Sequence, residues 1–144
     1  MMSEGVCLDA NVVLTALSPD ECTEEKLRLF DDILHSRNIL WMPALVNFEV
    51  GLVLAKKRKL HEWGETELSI ILEVFFKLPL ILVWNKELIL KALGFQQQGI
   101  PSFYDACYLA MAALKQIPLI TEDQELYKRG KRLYPQILTL HETL

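Results

Sequence analysis

Several things are scarce in this sequence, and each scarcity removes a class of answer. Positive charge is not in surplus: 15 Lys and Arg face 19 Asp and Glu, for a net charge of −4 and a pI near 5.4. A protein that holds nucleic acid by bulk charge needs the opposite balance. There is no cysteine framework, since Cys7, Cys22 and Cys107 are odd in number and lack C-x-x-C spacing. That pattern fits a reducing compartment, with thiols used as small core residues. His35, His61 and His141 lie far apart without a zinc-type spacing. The longest apolar region, Ile70 to Trp84, is broken by Glu73, Lys77 and Pro79 and cannot span a membrane. No signal peptide precedes the first apolar run, and there are no repeats, low-complexity tracts or linkers. The expectation is a cytoplasmic protein in which residues 1–144 form one domain.

Apolar residues, by contrast, are abundant, at 51% with a mean hydropathy of +0.20. That is high for a soluble monomer and predicts apolar surface covered by a partner. Gly5 to Leu14, GVCLDANVVL, is the stretch around which the rest is organised. Val6, Cys7 and Leu8 are apolar at every position, as in a strand covered on both faces, and the run ends in Asp9. Ligands of parallel sheets sit outside the carboxyl ends of the strands, where Asp9 would lie. Further strands are expected at Ile39–Met42, Leu80–Val83, Pro118–Thr121 and Gln136–Thr139. Between them, helices are expected from Thr23 to about Ser36, Pro43 to Lys59, Glu65 to Lys77, Lys86 to Gln97, from Phe103, and up to about Lys131. Thr23, Asn85 and Ser102 are placed to cap their helices, and Pro43 suits a first helical turn. Leu27, Phe30, Ile33 and Leu34 give the first of these helices its apolar stripe. Alternation of strand and helix predicts an α/β fold: a three-layer α/β/α sandwich on a parallel sheet of about five strands.

The acids within this frame are the candidates for chemistry. Asp9 and Asp123 close strands that, as neighbours, would bring their ends within ~5 Å. Asp105 opens a helix, where negative charge is favoured. It also completes something close to a capping box with Ser102, which would account for it structurally. Glu49 sits within an apolar stripe shared with Leu45, Val46, Leu52 and Val53, a costly place for an acid without a partner. Snorkelling or a lysine partner would explain it without function. Carboxylates gathered in one hollow raise one another's pKa, and a divalent cation resolves the conflict. Oxygen ligands favour Mg²⁺ or Mn²⁺ over zinc. The Lys56–Lys59 run is by default a helix end matched to its dipole. With Arg129, Lys131 and Arg132 it is also the place for RNA phosphates to make contact.

LDANVVL, the Pro43-to-Glu49 segment, and FYDACYLAMA followed by PLITEDQEL resemble a PIN-domain protein, nearest to the VapC type of toxin ribonuclease. The resemblance covers nearly the whole chain, and its most specific part is Asp105 to Leu126. It implies catalytic acids at Asp9, Glu49, Asp105 and Asp123, with Asp9, Asp105 and Asp123 holding the metal. It places supporting polar residues at Asn11 and Thr121. It further implies a flavodoxin-like fold, Mg²⁺- or Mn²⁺-dependent cleavage of single-stranded or structured RNA, and a homodimer. A small antitoxin would lie over the Pro43–Lys77 helices, which agrees with the apolar excess from Leu68 to Phe76. Glu122, between Thr121 and Asp123, departs from the family pattern by adding a charge where neutral residues are commoner.

Other modules share such a sheet. A receiver needs two adjacent acids after its first strand, and Asp9 has no acidic neighbour. A haloacid-dehalogenase-like phosphatase needs Asp-x-Asp, and position 11 is Asn. A PIN domain kept for RNA processing, or for non-catalytic RNA or protein binding, is the stronger alternative; the intact acid set speaks for turnover.

Overall fold

β1 (Gly5–Leu8) is buried at every position and occupies the middle of the sheet, which explains its continuous apolar run. The structure is a computed structural model that describes residues 5–35 and 39–143. β2 (Ile39–Pro43), β3 (Leu80–Val83), β4 (Leu119–Ile120) and β5 (Ile137–Leu138) join β1 in one five-stranded sheet of order β3-β2-β1-β4-β5. Every pairing is parallel. Helices link and flank the strands: α1 (Ala10–Leu17), α2 (Glu24–His35), α3 (Val46–His61), α4 (Glu65–Lys77), α5 (Lys86–Gln97), α6 (Phe103–Lys115), α7 (Gln124–Lys131) and α8 (Leu140–Thr143). α6 packs across β1, β2 and β4 with α5 beside it, while α1 lies against α2, α3 and α4. This is the expected α/β architecture with a five-stranded parallel sheet.

Gly5 carries no Cβ for a steric reason: one would meet the Trp41 ring at 2.6 Å and the Ile39 carbonyl at 2.8 Å. Cys7 and Cys107 are buried among core residues and Cys22 is half-buried, all as free thiols.

Some boundaries differ from expectation. Ala10–Leu17, apolar enough to continue a strand, is a helix, because the chain turns at Asp9 and starts a new ladder with Val12 N–H donating to the Asp9 carbonyl at 3.0 Å. Pro43 ends β2 opposite Val83 instead of opening a helix, and α3 begins at Val46. α2 buries Leu29, Phe30, Ile33 and Lys26, whereas Leu27 and Leu34 are exposed. Lys26 is drawn inward by its ion pair with Glu122 at 3.0 Å. Thr121 lies just past β4, and α8 had no signal in the sequence. Ser36, where α2 was expected to end, lies outside the described residues.

The basic end of α3 divides. Lys57 turns inward to Asp20 at 2.7 Å and Glu21 at 3.1 Å, with His61 also 3.1 Å from Asp20. Lys56, Arg58 and Lys59 face solvent. A second exposed feature is apolar. α4 buries only Ile71 and Phe75, leaving Ile70, Val74 and Phe76 exposed, and Phe48, Leu52 and Leu60 of α3 are exposed as well.

Candidate active site

The strand ends bring the acids together by short-range rules. Asp9 N–H donates to the Ile120 carbonyl at 2.9 Å, which pins the end of β1 to the end of β4. The Asp9 side chain does not cap α1 and is only 4% exposed. Thr121 is fully buried between the two chain segments. Its hydroxyl donates to Asp9 Oδ2 at 2.8 Å and accepts from Asp123 N–H at 3.0 Å. A single β-branched residue thus fixes both strand-end acids.

Asp123 is the N-cap of α7: its Oδ1 accepts from Glu125 N–H at 2.9 Å and Leu126 N–H at 3.1 Å. One oxygen is committed to backbone, which leaves Oδ2 for other work. Asp105 lies in the first turn of α6. Ser102 Oγ accepts from Asp105 N–H at 3.3 Å, but the Asp105 carboxylate returns no hydrogen bond among the described residues. Only half of the capping box is built, and the acid stays available.

Glu49, half-buried on α3, neither snorkels to a lysine nor stands alone. Tyr108 of α6, almost wholly buried, donates its hydroxyl to Glu49 Oε1 at 2.7 Å. Tyr108 is the residue the sequence reading missed as a functional candidate. In FYDACYLAMA it reads as one more apolar position on the Asp105 side of the helix. Its phenol needs a partner once buried, and that need was the available signal.

The electrostatics join these residues into one group. Burial, with the charges of Asp105 and Asp123 adding to it, pushes the Asp9 carboxyl up to about 7 against the Thr121 hydrogen bond. Asp105 is raised by burial and by Asp123. Glu49 is raised by burial, opposed by the Tyr108 hydrogen bond and reinforced by Asp105. No Lys, Arg or His forms an ion pair with Asp9, Glu49, Asp105 or Asp123 among the described residues. Glu122 stays out of the group through its pairing with Lys26. The Asn11 side chain is exposed on α1, and its backbone carbonyl accepts from the Thr15 hydroxyl.

A hard divalent ion fits this donor chemistry, which is carboxylate oxygen in mutual repulsion with no cation to relieve it. Among the described residues no three such side chains stand close enough to hold an ion unaided.

This sheet with acids at its strand ends is the arrangement of a PIN domain. The PIN-domain family model matches residues 6–132, and the chain belongs to that family. PIN domains are generally metal-dependent nucleases. Solved structures that resemble the chain include two at low identity. PAE2754 from Pyrobaculum aerophilum has a TM-score of 0.67 at 20% identity, covering 95% of this chain and 84% of that one. FitAcB from Neisseria gonorrhoeae has a TM-score of 0.60 at 16% identity, covering 93% of this chain and 95% of that one. At such identities the likeness is one of fold. Among curated proteins no sequence matches significantly.

Proposed function

We propose that the chain is a Mg²⁺- or Mn²⁺-dependent endoribonuclease of the VapC type, acting on single-stranded RNA as the toxin of a toxin–antitoxin pair, with residues 1–144 as one PIN-like domain. The observation that carries this reading is the buried Asp9 carboxylate, repelled by Asp105 and Asp123 and paired with no cation among the described residues. Asp9, with Asp105 or the free oxygen of Asp123 reached directly or through water, would hold the ion. Bound there, it would polarise a phosphate oxygen and make a water more acidic. Tyr108 fixes one oxygen of Glu49, so the other, Oε2, accepts the proton of the attacking water. Thr121 keeps Asp9 and Asp123 in register for this task.

RNA is held locally. Arg129 is committed to Glu125 at 2.9 Å and Lys131 to the Ile137 carbonyl at 2.9 Å. Of the cations expected to meet phosphates, Lys56, Arg58, Lys59 and Arg132 are exposed. The uncovered apolar face of α3 and α4 supports a small antitoxin and a homodimer as partners.

The test is cleavage of single-stranded RNA with Mg²⁺ or Mn²⁺, together with growth arrest on expression. Cleavage that survives Asp9→Asn would end the reading. Tight RNA binding without cleavage would favour a binding module.

A further inference from the structure

Thr121 and Asp123 have a second role: they also line a cavity of about 430 Å³ between the first turns of α2 and α7 and the start of α8. That volume lies within the ~300–1,000 Å³ range of small-ligand sites. Its walls differ from the acid cluster. Tyr127 contributes an aromatic ring and Leu140 an apolar floor, while Lys128 and Glu25 bring charge of both signs. The Lys131 ammonium lies 5.0 Å from the centre of the Tyr127 ring and helps to fix it.

Glu25 holds the informative atom. Its Oε2 is shielded from water and has no hydrogen-bond partner among the described residues. His141 Nδ1 comes within 2.9 Å of that oxygen but without the alignment of a hydrogen bond. The His141 side chain is 84% exposed, so nothing packs it in place over the carboxylate. The His141 ion pair offsets part of that shielding, and a ligand N–H that displaced the ring would supply the aligned donor the oxygen lacks.

We propose that this cavity is a nucleobase subsite, and that it takes guanine from the RNA strand whose phosphate lies at the acid cluster. The inference rests on the ribonuclease reading of those acids. Guanine places two N–H donors side by side on one edge, matching a carboxylate. Beside them it carries an O6 acceptor for the Lys128 ammonium, while its ring stacks on Tyr127. Adenine and uracil offer Glu25 a single donor group, and cytosine lacks the paired donors.

The test measures base binding apart from cleavage. GMP, AMP, CMP and UMP are titrated into the full chain in EDTA, following amide shifts at Tyr127 and Thr139. GMP is expected to bind about tenfold tighter than the others, in line with one good bidentate contact. Glu25→Gln is expected to abolish that preference, because the amide sets a donor against a donor. Lys128→Ala, at an exposed position, is expected to weaken GMP while leaving the fold intact. Equal binding of the four nucleotides, shifts confined to other surfaces, or a GMP preference that survives Glu25→Gln overturns the proposal. RNA cleavage with Mg²⁺, measured on the same preparation, separates the two readings. Cleavage without any guanine preference removes the subsite and leaves the nuclease. Guanine binding without cleavage removes the nuclease and supports the subsite.

Discussion

The Lys57 cluster and the Asp9 cluster both take charge out of water, and they finish in opposite electrostatic states. At Lys57 the charges close on themselves. The hydrogen bond from Lys57 is the main cause holding Asp20 below its usual range. Burial pulls Lys57 down, but its hydrogen bonds to Asp20 and Glu21 outweigh that and raise it overall. The region ties the end of α3 to the turn after α1 and has nothing left to bind. At Asp9 the charges share one sign and every resolved shift is upward. Burying a carboxylate among carboxylates destabilises the free protein, and either a bound proton or a cation from outside would relieve it. Buried charge alone therefore does not mark a functional site; buried charge left uncompensated does.

The comparison breaks most severely if Asp9→Asn keeps activity. Removing that charge is expected to cost at least ~100-fold in Mg²⁺-dependent RNA cleavage, measured at saturating metal. The same substitution is expected to raise the Tm of the metal-free chain at pH 8 by roughly 5–10 °C. Next comes the pH dependence. The folded Asp9 pKa of about 7 lies above the ordinary 3.8, so the folded chain binds more protons between those values. Its stability in EDTA should fall as the pH rises from 4 to 7, by on the order of a few kcal/mol. Urea unfolding across that range should show the slope, and Mg²⁺ or Asp9→Asn should flatten it. Asp20 and Lys57 should contribute little slope there. A lowered Asp20 is stabilising above its unfolded value and loses that only in more acidic solution. A raised Lys57 loses its contribution only in strong alkali.

Lys57→Met should cost about 2 kcal/mol, between the limits for exposed and buried pairs, with cleavage unchanged. A matching loss of cleavage would mean the two regions are not separate. The smallest effect expected is that of Tyr108→Phe, about 1 kcal/mol of stability and roughly a fivefold loss of rate. The missing hydrogen bond had held Glu49 down, so the acid limb of the pH–rate profile should move to higher pH. A profile that stays in place would make Tyr108 a packing residue only.

Much of this was legible in the residues. Continuous apolar runs marked β1 and β3, and the β3, α4 and α5 boundaries follow from their flanking Pro and cap residues. Order and spacing of the acids were enough to propose a shared site. What escaped was decided by contacts distant in sequence. Ala10–Leu17 is apolar enough for a strand, and only the turn at Asp9 makes it a helix. Lys26 is buried because Glu122 meets it from another element. Lys57 looked like one of four equivalent cations until Asp20 and Glu21 claimed it. The Tyr108–Glu49 bond spans 59 positions, beyond any local pattern.

Thr121 limits how such a chain can change over generations. Its hydroxyl donates a hydrogen bond to one acid and accepts one from the backbone N–H of another, inside a space closed to water. Valine would fill the volume and strand both neighbours, while alanine would strand them and open a hole. Serine alone keeps the two-way bond, so drift at this position has one narrow path, and a lineage that leaves it loosens the Asp9–Asp123 pairing while keeping its fold.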